Sequence, residues 1–290
     1  MSELQGRVAG KVAIVTGAGS TPGPGIATGR ACAIVLAREG ARVLLADING
    51  ERAEETQSLI EKEGGTAAVF VGDMTNAADC DAMVRAAVDD FGTVDILVNN
   101  IGVAHAGNVV DTTEETWDRV LSVSLKTTFL ASKSAVPVMA AQRSGAIVNI
   151  SSISASRGGN YVAYAAAKGG VNALTVDMAY SHGRDGIRVN AIAPGHITTP
   201  LLFSVTGVTP ESEYRQRLAA ASGLLGTNGD GWDVGHAAAF LASDEARWIT
   251  GAVIPVEGGV MAVTPLMMAP HLRAEQAPPA SIGRDTTHER

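Results

Sequence analysis

The sequence predicts a single α/β domain built on a doubly wound parallel sheet of about seven strands, with helices on both faces. Short apolar runs rich in β-branched residues alternate with longer helical patterns through most of the 290 residues. No linker or shift in composition divides the chain before about Val263. Alanine and glycine dominate and aromatic residues make up only 4%, which suits tightly packed strands and helices in one large core.

The elements can be placed in order along the chain. Strands are expected at Val12–Thr16, Arg42–Ala46, Ala67–Gly72, Ile96–Asn99, Ala146–Ile150, Ile187–Ile192 and Val253–Val256. Helices are expected at 30–39, 51–63, 77–91 and 113–139, with a fifth ending near Tyr180. A break in the fourth helix is expected near Pro137. Alternation of this kind requires right-handed crossovers and a parallel sheet covered on both faces.

Charge and composition exclude several kinds of partner. The net charge is -8 and no basic cluster stands out, which argues against nucleic acid and anionic membranes. No apolar signal region occurs in Met1–Gly10 and no run approaches a membrane span, so a cytoplasmic protein is expected. Cys32 and Cys80 lack metal-ligand spacing, so we expect both to pack in the interior and no metal to be bound.

A glycine-rich loop follows the first strand at once. It runs from Thr16 to Gly29, a helix comes next, and Asp47 ends the second strand. This order suits a dinucleotide, because glycines let backbone amides approach the pyrophosphate and the helix N-terminus favours an anion. A carboxylate at Asp47 would accept hydrogen bonds from the ribose hydroxyls and would repel a 2′-phosphate. The next two residues are Ile48 and Asn49, so no arginine follows at once to offset that repulsion. NAD is therefore expected in preference to NADP.

The stretch from Ser151 to Lys168 carries a candidate proton-transfer pair. Tyr164 and Lys168 lie four residues apart on an expected helix, which places them on one face. The ammonium favours phenolate, so the tyrosine pKa is expected to fall from about 10. Spacing alone does not separate this pair from a surface Tyr and Lys on an ordinary helix.

Several ordered motifs together make the chain resemble the classical short-chain dehydrogenase/reductase family, a single Rossmann domain, over about residues 8–262. These motifs are the glycine loop, Asp73, Asn99-Asn100-Ile101-Gly102, the Ser-Tyr-Lys stretch, residues 194–199, and the run from Trp248 through Gly259.

The resemblance implies catalytic roles. Tyr164 would be the general acid/base that exchanges a proton with the substrate oxygen, and Lys168 would lower its pKa and hold the nicotinamide ribose. Ser152 would polarise that oxygen, with Ser151 less favoured by register. Ser124 occupies a fourth catalytic position that is usually Asn; its hydroxyl can still perturb a helix and its carbonyl remains.

The resemblance also implies contacts with the cofactor. Asp73 would meet the adenine amino group, Asn99 would brace the central strand, and Ile197 would meet the nicotinamide carboxamide through its backbone. The full expected set is Gly17, Ser20, Gly23, Gly25, Ile26, Asp47, Ile48, Asp73, Met74, Asn99, Ile101, Gly102, Tyr164, Lys168, Pro194, Gly195, Ile197 and Thr199. The loop departs from the family pattern, because the stretch from Thr16 to Gly40 is about six residues longer than usual, so the assignment of its later glycines is open.

The substrate region follows the Pro-Gly motif. A lid is expected at about residues 200–226, and the expected pocket residues are His105, Ser152, Ser154, Tyr161 and His196, with Ile153 beside them. Residues 264–290 form an extension beyond the domain at 1–263, expected to be partly mobile or at a subunit interface. The resemblance implies a homotetramer acting on a small molecule.

The expected activity is NAD(H)-dependent interconversion of a secondary alcohol and a ketone by hydride transfer. One alternative is an NADP-dependent 3-oxoacyl reductase. Relatives of that kind carry arginines where Leu130 and Tyr180 stand here, which disfavours an acidic carrier protein as partner. Another is a catalytically silent nucleotide sensor or scaffold, for which Ser124 is the sequence support.

Overall fold

The structure is a computed structural model that describes residues 6–206, 224–225 and 227–263, with backbone alone at 204–206. Most of the expected lid and the extension from residue 264 lie outside these ranges.

Seven parallel strands form the main sheet, and two short strands form a separate ribbon. In chain order the strands are β1 Val12–Thr16, β2 Arg42–Asp47, β3 Thr66–Val71, β4 Ile96–Asn99, β5 Gly145–Ile150, β6 Ile187–Pro194, β7 Ile197–Thr198, β8 Gly229–Asp230 and β9 Val253–Val256. The main sheet has the order β3-β2-β1-β4-β5-β6-β9, and β7 pairs with β8. All seven expected strands are confirmed; the β7–β8 ribbon was not expected.

Helices cover both faces of the sheet. They are α1 Thr28–Arg38, α2 Gly50–Lys62, α3 Ala77–Phe91, α4 Glu114–Leu121, α5 Thr127–Ala141, α6 Val162–His182, α7 Pro200–Thr206 and α8 Gly231–Ala242. Side chains alternate between two cores along each strand. Ala13 and Val15 of β1 pack with α1, α2 and α8, whereas Ile14 packs with α3, α5 and α6.

The break expected near Pro137 in the helix at 113–139 lies at a different place. A π turn, Ser122–Lys126, separates α4 from α5, and the helix continues through Pro137 to Ala141. Packing of Leu130, Ala135 and Met139 in the core holds the helix across the proline, although its ring removes one backbone donor. The irregularity therefore falls at Ser124, not at Pro137.

The two cysteines pack in the interior, as expected. Burial raises the pKa of Cys32 to about 12 and that of Cys80 to about 11, which makes both thiols unreactive. Among the described residues, no cluster of His, Cys, Asp and Glu could hold a metal ion. Within the same ranges, no helix has the length and apolar character needed to cross a membrane.

Candidate active site

Hydrogen bonds join the last residue of β5 and the serine after it to α6. The Lys168 ammonium donates to the carbonyl oxygen of Ile150 at 2.6 Å. The Ser151 hydroxyl contacts the Lys168 carbonyl oxygen at 3.3 Å and Asn172 Oδ1 at 2.6 Å. The Ser151 hydroxyl is therefore already hydrogen-bonded to α6. Ser152 is the serine whose side chain is near Tyr164.

Ser152 and Tyr164 meet at the mouth of this junction. The Ser152 hydroxyl lies close enough to Tyr164 to act on the pKa of the phenol, and the backbone N–H of Ser154 donates to Ser152 Oγ at 3.1 Å. The Lys168 ammonium lies 5.7 Å from the centre of the Tyr164 ring. The structure thus brings Ser152, Tyr164 and Lys168 together at the carboxyl edge of the sheet, where parallel α/β folds bind ligands.

The pKa of Tyr164 departs from the sequence-based expectation. Burial raises it above the ordinary tyrosine value, and the hydrogen bond with Ser152 opposes that rise only in part. Burial also lowers the pKa of Lys168 to about 8. The expected fall was wrong because desolvation disfavours phenolate more than the surrounding groups favour it. At neutral pH the phenol is protonated and the lysine is mostly charged.

Ser124 occupies the π turn and is completely buried. Its hydroxyl accepts from Val103 N at 3.0 Å and contacts the Val103 carbonyl oxygen at 3.1 Å. A Cβ on Gly102 would lie 3.3 Å from Lys168 Nζ and 3.7 Å from Ser124 Oγ. Ser124 therefore fixes the segment after β4 against the lysine.

Gly17 and Gly29 bring the start of the glycine loop against the start of α1. Gly17 has a φ of +65° and donates to the Ala46 carbonyl oxygen at 2.7 Å. A Cβ on Gly29 would lie 2.0 Å from the Gly17 carbonyl oxygen, so only glycine fits there. Sequence reasoning missed Gly29, although its place just inside a helix after a glycine loop was a usable signal. Ala27 gives α1 no side-chain cap, which leaves the first N–H groups of the helix for an anion.

Asp47 closes this region at the end of β2. One carboxylate oxygen accepts from Gly19 N at 2.9 Å and the other accepts from Asn49 N at 2.9 Å. The Arg52 side chain starts at the same corner, because its Cβ lies 2.7 Å from the position that a Cβ on Gly19 would take. Sequence reasoning considered arginines only at the two positions after Asp47. Ile48, between Asp47 and Asn49, is 70% exposed.

The neighbouring strand ends place four further predicted residues. Asp73 is exposed and accepts from Thr75 N and Oγ1. The Met74 side chain is in the core, so only its backbone could border a ligand. Asn99 donates to Ser132 Oγ at 3.0 Å and Asn149 Oδ1 at 2.8 Å, which ties β4 to α5 and β5. A Cβ on Gly17 would lie 3.1 Å from the Ile101 side chain.

The segment after β6 turns sharply before β7. Pro194 ends β6, Gly195 N donates to the Val256 carbonyl oxygen at 3.0 Å, and Ile197 N donates to the Gly195 carbonyl oxygen at 2.9 Å. Thr199 is buried and its hydroxyl accepts from Leu202 N at 3.4 Å.

The later loop residues Ser20, Gly23, Gly25 and Ile26 run from the start of the glycine loop toward β7 and the first residue of α7. Thr21–Gly25 are exposed, and Gly23 and Gly25 approach Pro200 and Thr198. The assignment of these two glycines to direct cofactor contacts stays a prediction.

The expected pocket residues differ in their surroundings. Ser154 supports Ser152 through its backbone, and Tyr161 precedes α6 and forms a bridge with Gly107. His105 and His196 are exposed. The lid prediction at 207–223 lies outside the described residues.

A separate cavity of about 460 Å³ lies at the opposite, amino edge of the sheet. Its lining includes Lys11, Asp95, Arg188, Arg247 and Trp248, and none of the predicted site residues. The chemistry is therefore assigned to the carboxyl edge, where the nucleophilic and titratable side chains meet.

The comparisons with known proteins agree with this fold. A family model described as enoyl-(acyl carrier protein) reductase matches residues 25–261. A solved structure of a candidate short-chain dehydrogenase/reductase from Burkholderia xenovorans is 41% identical, with a TM-score of 0.83, and the match covers 89% of this chain and 99% of that one. The 2-(S)-hydroxypropyl-CoM dehydrogenase 3 of Xanthobacter autotrophicus is 37% identical over 90% of this chain and 100% of its own length.

A third relative is a 7α-hydroxysteroid dehydrogenase solved with NADH and 7-oxo glycochenodeoxycholic acid. It is 33% identical, with a TM-score of 0.80, and the match covers 89% of this chain and 98% of that one. The fold and the site define a nicotinamide-dependent oxidoreductase. The chain belongs to the short-chain dehydrogenase/reductase family.

Proposed function

We propose that the protein interconverts a secondary alcohol and a ketone with NAD(H) as cofactor. The observation that carries this proposal is the contact of Ser152 with Tyr164, above the buried ammonium of Lys168. A hydroxyl, a phenol and a cation around one point suit proton exchange at a substrate oxygen.

In the proposed reduction, Ser152 donates a hydrogen bond to the ketone oxygen and Tyr164 delivers its phenolic proton to that oxygen. The positive charge of Lys168 opposes the charge that forms on the tyrosine oxygen. In the oxidation the same groups act in reverse, so Tyr164 must first lose its proton. A raised pKa for Tyr164 supports ketone reduction as the direction favoured at neutral pH.

The glycine loop and α1 suit the pyrophosphate of a dinucleotide. The start of α1 has no side-chain cap, and the close contact of Gly29 with Gly17 lets the helix begin directly against the loop. When bound, a nicotinamide supplies or accepts the hydride. We assign Asp47 to the ribose hydroxyls, and its negative charge supports NAD. The related 7α-hydroxysteroid dehydrogenase was solved with NADH.

An NADP-dependent 3-oxoacyl reductase is the second candidate, and Arg52 is the observation that favours it. Its side chain starts beside Gly19, and a guanidinium that reached the 2′-phosphate would offset part of the repulsion from Asp47. The argument against a carrier protein from Leu130 also loses its force, because Leu130 is 7% exposed and belongs to the core. Initial rates with NADH and NADPH decide between the two, and an NADPH preference of about tenfold or more would favour this second candidate.

The silent-sensor alternative depends on Ser124, and the contacts of Ser124 weaken it. The serine hydroxyl accepts from and donates to the backbone of one residue, Val103, so the position keeps an ordered polar contact with the segment beside Lys168. We therefore propose a working enzyme with Ser124 as a positioning residue.

We further propose a homotetramer with α5 and α6 at one interface. Phe129, Val176 and Tyr180 on these helices are 47%, 53% and 87% exposed. Large apolar side chains exposed on adjacent helices support a subunit contact. Light scattering of the purified protein tests this proposal, and a monomer at micromolar concentration would contradict it.

The catalytic proposal is tested by comparing Tyr164→Phe with Tyr180→Phe. Both changes remove one hydroxyl from α6, but Tyr180 is exposed and distant from Ser152 in the chain. Tyr164→Phe is expected to lower kcat by about 10²- to 10⁴-fold while NADH still binds. Tyr180→Phe should leave both quantities unchanged. Equal activity in the two variants would overturn the assignment of Tyr164.

A further inference from the structure

The lengthened part of the glycine loop packs on β7 and on the first residues of α7 and α8. We call residues Ser20–Ala27 the strap. A Cβ on Gly23 would lie 3.3 Å from Pro200 Cβ, and a Cβ on Gly25 would lie 2.6 Å from the Thr198 carbonyl oxygen. At the end of the strap, the Ile26 carbonyl oxygen lies 2.7 Å from the position that a Cβ on Gly231 would take.

These contacts attach the strap to β7 and to the first residue of α8, which directly follows β8. Thr198 belongs to β7, and Gly231 directly follows Asp230 of β8. The pairing of Thr198 with Asp230 joins the two attachment points. The strap therefore contacts two chain segments that the β7–β8 pairing holds together.

The strap connects distant parts of the carboxyl edge. It leaves the main sheet after β1, whereas the ribbon follows β6, and β4 and β5 lie between these two strands. Three strand spacings amount to about 14 Å. The strap ends where α1 begins, at the proposed pyrophosphate site. The residue proposed to meet the nicotinamide, Ile197, lies in β7.

The composition of the strap favours a fixed shape. Its eight residues, Ser-Thr-Pro-Gly-Pro-Gly-Ile-Ala, include two prolines and no charged residue. Prolines limit the conformations of a free loop. Gly23 and Gly25 have φ angles of +148° and +82°, in a region that other residues rarely adopt. The approach of Gly25 to Thr198 requires both this backbone conformation and the absence of a side chain.

We propose that the strap retains the dinucleotide, and that its contacts with Thr198 and Pro200 must separate before the dinucleotide leaves. Gly25 and Pro200 are then positioning residues for the cofactor. The strap joins the loop at the pyrophosphate to the strand at the nicotinamide end, so loosening it speeds cofactor release. This inference rests on the proposed nucleotide site, but not on the proposed substrate or on proton transfer.

A matched pair of glycine substitutions tests the strap. Gly25 and Gly64 both have a φ of +82°, so alanine meets the same unfavourable φ at the two positions. A Cβ on Gly64 would meet nothing within 4 Å, whereas one on Gly25 would meet Thr198. The difference between Gly25→Ala and Gly64→Ala therefore reports the contact and not the strain.

The measurement is the rate of NADH dissociation, followed by NADH fluorescence after rapid dilution, together with the melting temperature of each variant. Gly25→Ala is expected to release NADH about tenfold faster or more, since weakened contacts act mainly on dissociation rates. Gly64→Ala should match the wild-type rate within about twofold.

Pro200→Gly provides a second variant that leaves the φ of Gly25 untouched. It removes the side chain that faces Gly23 and should also speed release, even if Gly25→Ala fails to fold. The proposal is overturned if Pro200→Gly, and Gly25→Ala where it folds, release NADH no faster than Gly64→Ala does. If the wild type binds neither NADH nor NADPH, the proposed cofactor site itself is wrong, and this outcome also overturns the strap as a cofactor-retaining element.

Discussion

The two ends of the candidate site are held by different kinds of structure. Ser152, Tyr164 and Lys168, which we call the proton-transfer end, lie where one strand meets a 21-residue helix. The nucleotide end, residues 17–29 with Asp47, lies mostly on a loop that is exposed from Thr21 to Gly25. At the first end the last residue of β5 and the two serines after it contact α6. At the second end, close backbone approaches at glycine residues take the place of side-chain contacts.

This difference explains which inferences were possible from sequence. Helical spacing is a fixed geometric rule, so Tyr164 and Lys168 had to share a face. No comparable rule predicts the path of a lengthened loop, because that path depends on its contacts with residues distant in the chain. Gly23 and Gly25 approach the segment after β6, more than 170 residues further along the chain.

The largest expected effect comes from removing the charge at the proton-transfer end. Lys168→Met should lower kcat by about 10²- to 10⁴-fold, because no cation then opposes the charge on Tyr164. Lys133→Met on α5 is the control, since Lys133 is exposed. Steady-state rates measure both variants, and a Lys168→Met enzyme as active as Lys133→Met would mean that the buried ammonium has no part in turnover.

The same variant gives a stability test with a definite sign. Burial lowers the folded pKa of Lys168 from 10.5 to about 8. Between these values the unfolded chain holds a proton that the folded chain has released, so the wild-type free energy of unfolding rises with pH. Denaturant unfolding at several pH values should show the free energy of unfolding of the wild type increasing relative to that of Lys168→Met across this range. A constant difference would contradict the lowered pKa.

The next effect concerns the nucleotide end. Asp47→Asn removes the charge proposed to repel a 2′-phosphate, with Arg52 left beside it. The ratio of kcat/KM for NADH to that for NADPH should fall by about tenfold or more. Asp89→Asn, at an exposed position on α3, should leave the ratio unchanged. An unaltered ratio in Asp47→Asn would show that cofactor choice is made elsewhere.

A smaller effect is expected from pH, and it depends on direction. Because burial raises the pKa of Tyr164, the phenol stays protonated through neutral pH. Ketone reduction should therefore vary little between pH 6 and 8, whereas alcohol oxidation should rise with pH toward the alkaline range. Profiles of kcat/KM in both directions check this, and an oxidation rate that is flat above pH 7 would point to a lowered tyrosine pKa.

The smallest effect is expected at Ser124. Ser124→Ala leaves the backbone N–H and carbonyl of Val103 without their partner, which should lower the free energy of unfolding by about 1–3 kcal/mol. Its effect on kcat should stay below that of Lys168→Met, since Ser124 acts through position only. Ser124→Asn restores the family's usual residue and tests whether the π turn accepts a larger side chain. A loss of activity in Ser124→Ala as large as in Lys168→Met would make Ser124 part of the chemistry.

Most of the fold followed from strand and helix patterning, because both periods are short-range. The seven strands and the Tyr164 helix were predictable for this reason. The π turn at Ser122–Lys126 was not, since it is accompanied by a hydrogen bond between Ser124 and Val103, 21 residues apart, which leaves no local pattern. The β7–β8 ribbon pairs residues about thirty positions apart over two residues each, too short to leave a period in the sequence.

The same limit applies within the site. The sequence favoured Ser152 over Ser151 by register, and the Ser151–Asn172 contact supplies a physical reason for that choice. The direction of the Tyr164 pKa was not predictable, because spacing reveals a neighbouring charge but not the burial that outweighs it. Arg52 was missed because its approach to Gly19 depends on how α2 crosses the loop.

The central claim is that one tyrosine exchanges a proton at a substrate oxygen beside a bound nicotinamide. The most direct measurement follows NADH formation from NAD with a broad set of secondary alcohols, in the wild type and in Tyr164→Phe, after NADH binding has been shown for both. We expect at least one alcohol to give turnover in the wild type and none to do so in Tyr164→Phe. Equal turnover in the two proteins, or silence of a wild type that binds NADH toward every alcohol and ketone, would contradict the account.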